Sequence, residues 1–184
     1  VSVKQTNNNA GGNIVGGDYT VNINHQMAGE IQALYKKLKG SVDGEEPALS
    51  GFCEQLEHYL SSNASTDIRG LEEKLKSSGR LDQLDNALYM KERAAKSIML
   101  LQSSRTAQRI YTIILDELHT KFMLSVTPLV QGGASRVDID RVIQDIVFSI
   151  SQALCENPLE ISAKDILGLL YFLAGNCHVR WDKC

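Results

Sequence analysis

Cys177 and His178 are the most conspicuous chemical groups in the chain, standing side by side with Arg180, Trp181 and Asp182 just behind them. With Cys184 they would supply three zinc-type ligands. Structural zinc wants four ligands at repeated gaps of about two to four residues, and adjacent side chains rarely turn toward one ion. A buried thiol beside a histidine that hydrogen-bonds across a helix end suits the spacing better. Cys177 and His178 are also a poor catalytic couple, because nucleophile and base are brought together from distant segments. A small hydrolase built on them would have to lose its activity on Cys177→Ala.

Other chemistries fit no better. Gly11 and Gly16 have the spacing of a phosphate-binding loop, but Gly17 and Asp18 stand where a lysine and a hydroxyl are required. A carboxylate there would repel phosphate, so these glycines read as turn residues. Glu45-Glu46, Glu72-Glu73 and Asp116-Glu117 are neighbours that a helix splays about 100° apart. They read as solvated faces. No nucleophile sits in a Gly-x-Ser-x-Gly elbow. The expectation is therefore a chain with no catalytic residues, no metal and no cofactor.

Two unlike segments position these groups. Residues 1–25 are rich in Gly and Asn, and residues 19–24 alternate Tyr19, Val21 and Ile23 with Thr20, Asn22 and Asn24. That period of two predicts a strand, and Val1 and Val3 extend the pattern to a hairpin. A lone hairpin is marginal in water, so the segment is expected to pair with another copy of the chain or with a neighbouring domain. Gly12, Asn13, Gly16, Gly17 and Asp18 would form its turn, with Tyr19 opening the strand as a further interaction residue.

Residues 26–184 read as a helical domain. Ile31, Leu34, Tyr35 and Leu38 make one stripe, and Phe52, Leu56, Tyr59 and Leu60 a second. From Leu81 to about Thr127 apolar residues recur at three- and four-residue steps, with no Gly or Pro until Pro128. This predicts one long central helix, with Ser103-Ser104 as the place for a kink. Gln131–Arg136 is a loop, a helix begins near Asp138, and Ser162-Ala-Lys-Asp165 resembles a capping box. Gly175-Asn176 closes the last helix, since both residues tolerate a left-handed turn. The fold class is mainly α: a helical bundle behind a short β element.

Composition narrows the partners. Nineteen basic against 22 acidic residues leave a net charge of −3, without the clustered positive field that phosphate contacts need. Nucleic acid is disfavoured. The longest apolar run, 166–175, is far short of the roughly 20 residues that span a bilayer. Four scattered cysteines without a secretory signal suit reduced thiols in the cytoplasm. Arg105 and Arg109 interrupt the long helix one turn apart, either as an exposed face or a polar layer that sets helix register, or as a contact for a partner helix or acidic group.

The order of several motifs resembles one family. These are Leu75-Lys-Ser-Ser-Gly-Arg80, Lys91-Glu92, Gln102-x-Ser-x-x-Ala-Gln-x-Ile-Tyr111, Pro128-Leu-Val, Val137-Asp138 and Leu170-Tyr-Phe-Leu-Ala-Gly-Asn-Cys-His-Val-Arg-Trp181. Together they are similar to the C-terminal domain of proteins from bacterial ABC three-component conflict systems. Gly12-Asn-Ile-Val-Gly-Gly-Asp18 looks like the short element that often precedes such domains. The resemblance implies one module of a longer effector, whose toxic domain would lie upstream of Val1. Its partners would be an ABC-type ATPase and a small middle component. The family supplies no catalytic residues to carry over. The expected function is thus a self-associating interaction and assembly module, with Asn176, His178, Arg180 and Trp181 as candidate contacts. The rival is a sensor of a small molecule or nucleotide, which would need a concave apolar pocket beside the C-terminal corner.

Overall fold

The stripe Met27, Ile31 and Tyr35 is buried along the first helix, α1 (Val21–Gly40). The computed structural model describes residues 21–40, 51–61 and 70–182, and among these there is no strand. Val21–Asn24, expected as part of a strand, form the first turn of α1 instead. A helix already nucleated gains a backbone hydrogen bond with each added residue, whereas these four residues have no described strand to pair with. Gly12, Asn13, Gly16, Gly17, Asp18, Tyr19 and the rest of the expected hairpin lie outside the described residues.

Two short helices follow, α2 (Glu54–Leu60) and α3 (Leu71–Ser77). A single 3₁₀ turn then leads into α4 (Leu84–Met99). The long central helix expected over 81–127 is broken: 3₁₀ turns at Leu100–Ser103 end α4, and Ser104 leaves helical geometry before α5 (Arg105–Lys121). The side chains explain why the break is stable. Ser104 accepts the Ala107 N–H at 3.2 Å and so caps α5. Gln108, fully buried, donates from Nε2 to the carbonyls of Leu101 and Gln102 at 3.0 and 3.4 Å. The carbonyls freed by the break are thereby satisfied. The apolar recurrence continues across it because both helices face one core.

Helical backbone then persists beyond the expected stop. Wide π turns at Phe122–Val126 lead into α6 (Thr127–Gly132), with Pro128 at its start. A proline ring meets the carbonyl four residues back, and the widened turns lie where that conflict falls. The stop is Gly133, at φ 73°, a left-handed position that favours glycine. α7 (Arg136–Leu154) is capped by Ser135, which accepts the Asp138 N–H. α8 (Ala163–Gly175) opens with a complete Ser162–Asp165 capping box.

α8 is the central element. Ile166 and the run Leu169–Ala174 are buried, each large apolar side chain contributing about 1.5–3 kcal/mol by leaving water. Its closest neighbour is α4, and Gly168 permits that approach: a Cβ there would stand 2.8 Å from the Met90 carbonyl oxygen. Among the described residues, no helix is long and apolar enough to cross a membrane.

Candidate functional site

The chain leaves α8 through an unusual turn. Asn176 and Gly175 were expected to hold the left-handed position, but Cys177 takes it, at φ 64°. Three bonds fix the turn: Cys177 N–H to the Ala174 carbonyl, His178 N–H to the Leu173 carbonyl at 2.9 Å, and Asn176 Nδ2 to the Tyr59 carbonyl at 2.8 Å. The last of these ties the corner to α2, which the sequence separates from it by more than a hundred residues.

Beyond the turn, His178 is buried. Its ring centroid lies 5.1 Å from those of both His58 and Tyr59, and 6.3 Å from that of His119. Burial, then the neighbouring His58 and His119, holds the His178 imidazole below the ordinary histidine pKa; burial does the same to His119. Tyr59 donates to Asp116 Oδ1 at 2.6 Å, and burial with that bond pushes its phenol well up. Among the described residues no group of three or more His, Cys, Asp or Glu is spaced to hold a metal ion. Cys184, the third candidate zinc ligand, lies outside them.

Lys74 supports the corner from below. It is 2% exposed, and its ammonium donates to the Ala174 carbonyl at 2.6 Å and toward the Val179 carbonyl at 3.4 Å. A cation there suits the negative end of α8.

Trp181 completes the corner. It is 4% exposed and packs edge-on against Phe122 at 5.8 Å between centroids, with Tyr171 tilted against it at 5.7 Å. Trp181 lines a cleft of about 1080 Å³ between α4, α7 and α8, together with buried Ile143 and Tyr171 and the more exposed Met90, Phe148 and Leu167. Trp181 also lines a smaller cavity of about 450 Å³, which reaches Val130 and Ile139.

An ion network closes one end of both spaces. Buried Arg80 donates through Nε and Nη2 to Asp140 Oδ1, at 3.2 and 2.8 Å, and through Nη1 to the Ser78 carbonyl. Arg136 grips Asp82 with two bonds of 2.7 Å and reaches Asp140 Oδ2 at 3.3 Å. The Arg136 guanidinium accordingly holds the Asp82 carboxyl below the usual range.

Asn176, His178 and Trp181 are thus gathered in one corner, with half-buried Arg180 between His178 and Trp181 in the chain. Arg105 and Arg109 serve another contact. Arg105 donates to Gln108 Oε1 at 3.3 Å, and Arg109 pairs with Glu30 of α1 at 2.9 Å. Gln108 is the hub there: its Oε1 also accepts the Cys53 N–H at 2.8 Å, and its Nε2 donates to the Gly51 carbonyl at 3.0 Å.

Lys74, Gln108 and the histidines His58 and His119 were not foreseen in these roles. Two of them left a trace in the sequence. Lys74 falls between Leu71 and Leu75 on the inward side of α3, and Gln108 shares a stripe with Thr112 and Leu115. The histidines left none.

Comparison with known proteins gives one result. No curated protein and no solved structure matches the chain. The family model for C-terminal domain 9 of the ABC-three component (ABC-3C) systems matches residues 70–181, from the entry of α3 through Trp181. The span takes in Lys74, the ion network, the lining of the cleft and His119, His178 and Trp181 of the corner, though not His58 and Tyr59, and the chain belongs to that family.

Proposed function

We propose that this domain is a non-catalytic interaction and assembly module of a bacterial conflict-system effector. It couples an effector domain upstream to the ATPase and the middle component, and it self-associates. One observation carries the reading: near Trp181, Lys74, Arg80, Arg136 and Asp116 are engaged in holding the fold, while the cleft beside it is edged with exposed apolar surface. Lys74, Arg80, Arg136 and Asp116 each have an intramolecular partner. Phe148 on the cleft wall is 62% exposed. Groups so committed suit a scaffold, and an open apolar cleft suits a partner.

Co-purification of the chain with the ATPase and with the middle component of its own system tests the coupling. Light scattering on residues 1–184 and 26–184 tests self-association through the N-terminal segment. A monomer in both forms would remove the self-association, and failure to retain either component would remove the coupling.

The sensor reading has support from the same cleft, a concave apolar space with Trp181 in its lining. Thermal stabilisation by a small molecule, lost on Leu167→Arg, would support that reading.

A further inference from the structure

The cleft has properties that select its occupant. At about 1080 Å³ it lies at the upper end of the roughly 300–1,000 Å³ typical of small-molecule sites, and its lining runs along α4, α7 and α8. Both guanidiniums near it are spent, Arg80 on Asp140 and Arg136 on Asp82 and Asp140. The Lys164 ammonium sits over the Tyr89 ring, 5.7 Å from its centroid. Among the described residues that line the space, acids outnumber bases, Asp82, Asp140 and Asp145 against Arg80 and Lys164, and Asp82 and Asp140 are held by the arginines. Asp145 is exposed and has no ion pair among the described residues. It stands three residues before Phe148 on α7, so the acid and the exposed ring lie on one helix face.

We propose that this cleft is the docking groove for a helical segment of a partner component of the system. The segment inserts apolar side chains among Met90, Phe148 and Leu167 and sets a lysine or arginine opposite Asp145. The proposal rests on the assembly reading above and gives it a surface and a partner chemistry. A helix laid in a groove with a few apolar anchors is a recurrent mode of recognition, and a rim charge of opposite sign steers it.

The test is the affinity of the full chain for the purified middle component and for the purified ATPase, measured by biolayer interferometry at two salt concentrations. Phe148→Asp is expected to weaken binding at least about tenfold, because an exposed aromatic anchor is replaced by a charge. Asp145→Lys is expected to weaken it about threefold and to flatten its salt dependence. Leu124→Asp, exposed on the π turns and outside the cleft lining, should change nothing. Phe148 and Asp145 are surface residues, and matching melting curves will show the variants folded. If the chain binds a component and both cleft variants bind as tightly, the groove is refuted and the assembly reading survives. Loss confined to Leu124→Asp refutes the groove as well. If the unaltered chain binds neither component, both fall together.

Discussion

The ammonium of Lys74 lies 2.6 Å from the carbonyl oxygen of Ala174, so a short helix early in the domain finishes the last turn of its central one. Replacing that cation with an apolar side chain of similar length leaves the end of α8 one donor short. Lys74→Met is expected to lower stability by about 1–3 kcal/mol, the range for a lost hydrogen bond from a charged group. Urea unfolding measures it. An unchanged midpoint would mean that the Cys177 N–H, which the Ala174 carbonyl also accepts, is enough to hold the end of α8 without the lysine.

Acid should loosen the corner. Burial lowers the pKa of His178 and His119 in the folded state from the ordinary value of 6.5. The unfolded chain therefore binds more protons between the two values, and stability falls as pH drops through about 6.5. Above that pH both states are neutral and the effect vanishes. Melting temperatures across this range should decline on the acid side, and His178→Phe should decline less steeply. A profile identical to that of the unaltered chain would show that His178 is not among the groups responsible.

Two glycines of α8 should respond in opposite ways. A methyl at 168 meets the backbone oxygen of Met90, which cannot yield without parting α4 from α8. Gly168→Ala is expected to cost about 1–3 kcal/mol. A methyl at 175 meets only the end of the Lys91 side chain, which can swing aside. Gly175→Ala should be close to neutral. Parallel denaturation curves decide, and equal losses at the two positions would contradict the close approach of α4 and α8.

Gln108 should govern how firmly residues 51–53 are held. Gln108→Leu removes the acceptor of the Cys53 N–H and the donor to the Gly51 carbonyl. The Cys53 amide is expected to exchange with solvent at least about tenfold faster, in line with a lost hydrogen bond of roughly 1.4 kcal/mol or more. Amide exchange by NMR reads this directly, and undiminished protection would place the anchor of that segment elsewhere.

Much of the bundle was legible because its signals are local. The stripe of α1, the Ser162–Asp165 box and the apolar run of α8 each declare themselves within a dozen residues. The break after α4 showed only as a kink expected at Ser103-Ser104, since what stabilises it is a glutamine further along whose partners lie in 51–53 and 101–102. Alternation over six residues was too short a sample to separate a strand from the first turn of α1. The corner was half visible. Its terminal string pointed to a shaped end, but the rings around His178 come from positions 58, 59 and 119, and only the fold brings them together.

Trp181 is the chain's sole tryptophan, and it lines both the cleft and the smaller cavity with Tyr171 against it. The molecule therefore carries its own optical probe. Excitation at the red edge of the protein absorption band reports one indole in one setting, with no label and no mixture of signals to separate. A blue or red displacement of its emission reads drier or wetter surroundings directly, whether the cause is a segment settling into the cleft or acid opening the turn before it.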